Sequence, residues 1–243
     1  MNPEAYIEMA QTEDEHWWFV ARRMILMDCI RLLSLPPQAN ILEIGCGTGG
    51  NLSMLSQFGK VYGIEMEDEA LALAMHKSNH RHTLIKGKCP DNLHFEHIKF
   101  DLICMLDVLE HIDQDISALI ALKQYLSSNG KILLTVPAHP WLFGAHDQYL
   151  HHQRRYTQSQ LQRVLGQAGL VSARMSYFNC ILFPLAALTR LIEKYLNLKN
   201  STGGTTPVAP LNWLLKKIFM CERYLLRYVN LPFGVSLLCI AKA

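Results

Sequence analysis

Short apolar runs recur along the chain at Asn40–Ile44, Val61–Glu65, Thr83–Lys86, Phe100–Met105 and Lys131–Val136. Apolar runs of this kind suit strands covered on both faces, as in a parallel sheet. Between them the apolar positions change to helical spacing, near Asn51–Phe58, Asp68–His76 and Gln114–Leu126. Strands and helices alternating with short links predict an α/β fold with a doubly wound, mostly parallel sheet. Ligands in such sheets lie beyond the carboxyl ends of the strands. Upstream, Glu15–Leu35 reads as one helix stopped by Pro36-Pro37, part of an N-terminal helical cover. Downstream, Thr157–Gly169 reads as a capped helix, Leu170–Phe178 as a sixth strand and Phe233–Ala241 as a seventh. About 50 residues separate the last two strands, too many for an unstructured loop in a compact domain. Leu182–Leu198 and Leu211–Val229 have helical patterns on either side of Ser201–Pro207, so a helical insert is predicted. The expected layout is a single domain over 1–243, with a cover at 1–37, a core at 38–179, the insert at 180–230 and a last strand at 231–243.

With 243 residues, half of them hydrophobic, the chain can bury a substantial core and lacks the composition of a disordered one. A net charge of +2 argues against a nucleic-acid binder held by bulk electrostatics. The charge is uneven: residues 180–243 carry eight Lys or Arg against two Glu, a net +6, leaving −4 for residues 1–179. The seven cysteines have no C-x-x-C spacing and mostly sit in apolar runs, as buried thiols in a reducing compartment do. Met1-Asn2-Pro3-Glu4 has no basic-then-apolar leader. The uncharged run Met175–Thr189 is too short to span a bilayer and contains Pro184. A cytoplasmic protein, touching a membrane at most peripherally, is the expectation.

The run Ile41-Leu42-Glu43-Ile44 passes into Gly45-Cys46-Gly47-Thr48-Gly49-Gly50 and then into helix-compatible Asn51-Leu52. A strand, a glycine turn and a helix aim backbone N–H groups and a positive helix end at a small polar ligand. Gly45, Gly47 and Gly50 also fit the dinucleotide fingerprint, which keeps an NAD(P)-dependent oxidoreductase as an alternative. Two carboxylates favour a different ligand. Glu43, two residues before the first glycine, gains nothing from a pyrophosphate but suits an ammonium group. Glu65, 20 residues after Gly45, stands where an acid accepts both hydroxyls of a ribose. An adenosine carrying an amino-acid tail fits that pair of acids.

On Glu43–Gly49, Gly63-Ile64-Glu65, Phe100–Cys104 and Leu106–Ile112, the chain resembles the class I S-adenosylmethionine-dependent methyltransferases over roughly residues 38–180. The resemblance implies a seven-stranded Rossmann-like sheet whose last two strands form an antiparallel hairpin, and S-adenosylmethionine as cofactor. It implies that Glu43, Gly45, Cys46, Gly47, Gly49, Glu65, Met66 and Cys89 line the cofactor, with Leu106 and Asp107 nearby. It also implies a lid role for the N-terminal helix, with Trp17 or Trp18 on the cofactor tail and Arg22 near its carboxylate. The plainer alternative is that His16-Trp17-Trp18-Phe19 packs on the sheet. Many relatives carry an acid after the glycine equivalent to Gly87; Lys88 stands there instead, leaving adenine to backbone groups near Cys89. No (Asn/Asp)-Pro-Pro-aromatic motif follows the fourth strand, which argues against methylation of nucleic-acid bases. A non-catalytic scaffold that keeps the cofactor fold is a further alternative.

Methyl transfer from a sulfonium is an in-line displacement that depends on positioning, and a hydroxyl acceptor also needs a base or a metal. Asp107, Glu110 and His111 stand at i, i+3 and i+4 and would share a face if their loop opens a helix. Strand five is followed by His139-Pro140-Trp141, His146-Asp147, His151-His152 and Arg154-Arg155-Tyr156. In one reading His111 or His146 is the general base, Asp147 orients an imidazole, and Arg154 and Arg155 hold an anionic substrate group. In a second, Asp107, Glu110, His111 and His146 bind one divalent metal such as Mg²⁺. That set is similar to the one in the ubiquinone-pathway O-methyltransferases and the small-RNA 3′-end 2′-O-methyltransferases, with Asp107 in place of Glu. In a third, His111 merely packs near the cofactor. Nothing supplies a reactive thiol, so O-methylation is the expected chemistry.

The insert bears on the acceptor. Phe178, Phe183, Leu185 and Leu188 offer apolar lining for a small or lipid-like molecule. Lys216, Arg223 and Arg227 share a helical face, with Leu214, Leu215, Ile218, Leu225 and Leu226 largely elsewhere. That pattern suits a lid packed on the core or a helix lying on anionic lipid, giving peripheral membrane contact through 180–230.

Overall fold

The apolar runs become strands with small changes of bounds. The computed structural model describes residues 3–95, 97–195 and 205–243. The strands are β1 (Ala39–Ile44), β2 (Gly59–Glu65), β3 (Thr83–Lys86), β4 (Phe100–Leu106), β5 (Leu126–Pro137), β6 (Val171–Phe178) and β7 (Ser236–Lys242). They form one sheet in the order β3-β2-β1-β4-β5-β7-β6. β1 to β5 run parallel, while β7 is antiparallel to both of its neighbours, Cys239 lying opposite Leu134 on one side and Met175 on the other. The expected seven-stranded sheet with an antiparallel closing pair is therefore present.

The helices before the insert are α1 (Pro3–Thr12), α2 (Trp17–Arg31), α3 (Leu52–Leu55), α4 (Asp68–Lys77), α5 (Asp115–Lys123), α6 (Ala145–Tyr149) and α7 (Gln158–Gln167). Side chains alternate across a strand, so each central strand feeds two cores. β1 sends Leu42 and Ile44 to one face and Ala39 and Ile41 to the other; β4 splits Ile103 and Met105 from Leu102 and Cys104. The first face is covered by α5 and α7 through Ala118, Leu119, Leu122, Leu161 and Leu165. The second is covered by α2 through Ile25, Leu26 and Ile30, and by α3 and α4 through Leu52, Leu55 and Ala74. Each large side chain buried in this way contributes about 1.5–3 kcal/mol.

The N-terminal cover holds two helices where one was expected. His16 is extended (φ −62°, ψ 130°) and its Nδ1 accepts the Trp18 N–H at 3.3 Å, so α2 starts at Trp17. It ends at Arg31, short of the expected Leu35. The insert is helical as expected, with α8 (Phe183–Tyr195) and α9 (Ala209–Leu226). Residues 201–204 of the expected separator lie outside the described residues. α9 packs along α2: the Trp17 ring meets Phe219 edge-on at 5.9 Å, and the Trp17 N–H donates to Asn212 Oδ1 at 2.8 Å. Arg227 donates to the buried Asp28 of α2 at 2.9 Å, with Arg223 at 3.8 Å from the same oxygen. These two arginines therefore bring part of the basic face against α2, with Arg227 still partly in solvent. No described residue of α8 is buried. No helix among the described residues is long and apolar enough to cross a membrane.

Candidate functional site

The strand order reverses between β1 and β4, which opens a crevice at their carboxyl ends. The loop after β1 has its glycines in left-handed backbone, Gly45 at φ +64° and Gly49 at φ +88°. A Cβ on Gly45 would also lie 2.9 Å from Val108 Cγ2, so glycine is required there twice over. The Cys46 N–H donates to the Ile64 carbonyl at 3.0 Å, tying the loop to β2. At the end of β2, Glu65 braces the loop. Its Oε2 accepts the Gly47 N–H at 2.8 Å, and its Oε1 accepts those of Met66 and Glu67 at 2.8 and 3.0 Å.

Glu43 is buried at the base of this loop. Its Oε1 accepts from Asn51 Nδ2 at 2.7 Å, while its Oε2 has no hydrogen-bond partner among the described residues. Burial pushes the carboxyl up to about 8, and the Asn51 bond only partly opposes that shift. A buried acceptor without a donor beside a glycine loop fits an ammonium-bearing tail, so these residues suit the cofactor that the resemblance implies. Leu106 is buried at the end of β4, and Met66 is half-exposed beyond Glu65. Cys89 is buried, and that burial raises its thiol to about 12, so it packs as a small apolar side chain.

α1, which was not among the expected helices, roofs the loop. Tyr6 is buried, and burial together with Glu65 and Glu67 raises the pKa of its phenol. Met9 Cε lies 3.4 Å from where a Cβ on Gly47 would stand. Just past α1, Glu13 Oε1 accepts from Thr48 Oγ1 at 2.9 Å and from Lys77 Nζ at 2.8 Å. Pro3 at the first helical position, with Tyr6 and Met9 three residues apart, was the available signal.

From α2, Arg22 reaches Asp107 Oδ2 at 2.6 Å and Thr135 Oγ1 at 3.2 Å, and its guanidinium lies 5.0 Å from the Trp18 ring. Arg22 is thus at the crevice, as expected. Trp17 packs edge-on against Phe219 of α9, and of the two tryptophans it is Trp18 whose ring lies by Arg22. Asp107 is left-handed (φ +58°), and only a single 3₁₀ turn, Leu109–His111, follows. The expected shared helical face of Asp107, Glu110 and His111 is therefore absent. Asp107 turns to Arg22, while Glu110 and His111 turn elsewhere.

That second cluster gathers around Asp147, which is fully buried. It accepts from His152 Nδ1 at 2.9 Å, Arg155 Nε at 2.8 Å and the Gly144 N–H at 3.0 Å. Burial alone would raise its pKa; these donors override it and hold the carboxyl well below the usual carboxylate range. The contact places the His152 proton on Nδ1 and leaves Nε2 as an acceptor, 3.9 Å from Glu110 Oε1. Neither oxygen of buried Glu110 has a hydrogen-bond partner among the described residues. Burial and the nearby Asp107 charge push its pKa up. The His111 ring lies 4.7 Å from that of His152. Burial lowers both His111 and His146 to about 4.

Several expected roles are corrected here. Asp147 orients His152, neither His111 nor His146. Arg155 is buried between Asp147 and the Ala138 carbonyl, and Arg154 pairs with Asp115 at 3.0 Å and the Asp113 carbonyl, so both arginines have internal partners. Ligand atoms of Glu110, His111 and His152 lie within 4.8 Å of one another, and this is the metal-compatible group found among the described residues. Asp107 and His146 of the expected metal set lie outside it. Of the expected acceptor lining, Phe183 faces His139 at 5.1 Å, and His139 stacks on Tyr177 at 5.2 Å. Phe178 is fully buried against Phe219, and Leu185 and Leu188 face outward.

The chain matches the family described as methyltransferase domain over residues 19–179. It is 26% identical over 149 residues to the ubiquinone biosynthesis O-methyltransferase of Glaesserella parasuis serovar 5 (strain SH0165). That match takes in 54% of this chain and 61% of that enzyme, so the chain matches less than two thirds of the relative's length. A TehB-like S-adenosylmethionine-dependent methyltransferase from Corynebacterium glutamicum ATCC 13032 shares the fold at a TM-score of 0.58, with 16% identity over 99% of each chain. An S-adenosylmethionine-dependent methyltransferase from Clostridium acetobutylicum ATCC 824 does so at 0.57, with 14% identity over 90% of this chain and 89% of that one. At these identities the structural likeness is one of fold alone.

Proposed function

The chain belongs to the methyltransferase-domain family, of the class I S-adenosylmethionine-dependent type, and from that premise we propose that it methylates a hydroxyl oxygen of a small, apolar acceptor. The Asp147–His152 pair beside Glu110 is the observation that carries the reading. Bound S-adenosylmethionine supplies a methyl group on a positively charged sulfur, open to in-line attack. Glu43 would take the ammonium of the tail, and Glu65 with the Gly45–Gly49 loop would take the ribose side, while Arg22 ties α2 to Asp107 at the end of β4. His152, oriented through Nδ1 by Asp147, removes the acceptor's hydroxyl proton at Nε2 as oxygen attacks. Arg155 keeps Asp147 ionised for that role. The aromatic group of His139, Tyr177 and Phe183 supports an apolar acceptor. The likeness to an O-methyltransferase supports oxygen as the acceptor atom.

Calorimetric titration with S-adenosylhomocysteine, with NADH as control, tests the cofactor. Micromolar binding of the first alone is expected; binding of NADH alone would return the oxidoreductase alternative. A methyl-transfer screen of phenols and catechols, with and without alkyl tails, then tests the acceptor. His152→Gln should keep S-adenosylhomocysteine binding and lower kcat by about 10²–10⁴-fold, the range for a lost general base. Binding of S-adenosylhomocysteine with no transfer to any hydroxyl would leave the scaffold alternative in front.

A second reading is favoured by one observation, the convergence of Glu110, His111 and His152 with both Glu110 oxygens unbonded. These three side chains offer two nitrogens and a carboxylate, a donor set that suits a divalent cation, which would lower the pKa of a bound hydroxyl without a base. Activity abolished by exhaustive chelation and restored by Mg²⁺ or Mn²⁺ supports it. Unchanged activity after chelation removes it and leaves His152 as the base.

A further inference from the structure

Each of the two insert helices exposes large apolar side chains among the described residues. On α8, Leu185, Leu188, Leu191, Ile192 and Tyr195 are all exposed, Tyr195 to 88%. At 100° per residue they fall within roughly one third of the helix circumference, the width of a docking stripe. Arg190, Glu193 and Lys194 lie outside that stripe. On α9, Leu215, Phe219 and Leu226 face the core. Trp213, Tyr224 and Tyr228, the last just past the helix end, lie on the opposite side, with Trp213 57% and Tyr228 86% exposed; Leu214 and Leu225 are exposed on the flank between, and Leu211 in the first turn.

The two helices carry a net positive charge. The acids of α8 and α9 are Glu193, paired with Arg190 at 2.9 Å, and Glu222, which is buried. Lys194, Lys216, Lys217 and the partly exposed Arg227 remain near the surface. Aromatic and basic side chains also pair, with Lys217 Nζ 5.8 Å from the Trp213 ring and Arg223 4.8 Å from that of Tyr224. A second copy of this chain would bring like cations together across a twofold interface, with no acid on these faces to meet them. An anionic lipid surface meets the cations and takes up the Trp, Tyr and Leu side chains.

We infer that α8 and α9 dock this protein peripherally on an anionic membrane. The inference does not rest on the proposed chemistry, because its readout is binding to lipid. The test is co-flotation of the full chain with phosphatidylcholine vesicles, and with phosphatidylcholine–phosphatidylglycerol vesicles, at low and high salt. Binding to the anionic vesicles is expected, weakened by salt and by omission of phosphatidylglycerol. Lys216→Glu/Lys217→Glu should weaken anionic binding by about tenfold or more, given roughly fivefold per basic side chain at such a surface. Trp213→Ser/Leu225→Ser and Leu185→Ser/Leu188→Ser should each weaken it as well. All six positions are partly or fully exposed, so each variant should fold, which circular dichroism checks. Failure to float with anionic vesicles at low salt overturns the inference. So does a dimer, seen by light scattering, that the same substitutions split, since the covering surface would then be a second copy.

Discussion

A carboxyl group buried with one oxygen on Asn51 and the other unbonded is costly to ionise until a cation arrives. With Glu43 raised to about 8, the unliganded protein holds it mostly protonated at neutral pH. An ammonium group favours the anion, so binding must expel that proton. Affinity for S-adenosylhomocysteine should therefore rise with pH up to about 8 and level off above it. Calorimetry at neutral pH in phosphate and in Tris should give binding enthalpies that differ by the difference between the two buffers' ionisation enthalpies, scaled by the fraction of a proton expelled. Glu43→Gln should abolish that difference and weaken binding by about tenfold or more, as for a lost charged hydrogen bond. A buffer-independent enthalpy in the unmodified protein would refute the coupling. Glu43 and Glu65 were legible because strand, turn and helix fix their places within a few residues of chain. His152 was not. The choice among His111, His146 and His152 as partner for Asp147 is made by α6 and by Arg155, which adjacency in sequence does not encode.

Among elements, the α2–α9 contact decides what the insert does. Asp28 is the buried acid between them, bonded to Arg31 and Arg227 at 2.9 Å each. Both arginines are partly in solvent, which reduces what each pair contributes. Asp28→Asn should lower stability by about 1–2 kcal/mol, roughly 2–8 °C in Tm, with S-adenosylhomocysteine affinity unchanged. Thermal unfolding and calorimetry check both halves; an unchanged Tm would mean that the contact is not held by charge. The helical character of the insert could be read from its periodicity. Its orientation could not, because Arg223 and Arg227 suit either a packed lid or a lipid-facing helix until Asp28 is known to lie opposite. α1 escaped notice for a similar reason: a ten-residue helix is marginal alone and persists by packing on the glycine loop.

For the whole molecule, the alternation of strands and helices specified the parallel half of the sheet and the edge at which ligands gather. The resemblance added the antiparallel pair. Their arrangement has a further consequence for synthesis. β7, residues 236–242, is the strand between β5 and β6, so neither neighbour can be fully paired until those residues have been made. While the ribosome is still producing the insert, β5 presents a long row of unpaired N–H and C=O groups, ready to join another nascent chain. Closure then joins residues more than a hundred apart, Leu134 to Cys239, which makes it a slow, late step. The sheet therefore passes through a vulnerable interval during synthesis, and the exposed leucines of α8 and α9 emerge within that interval.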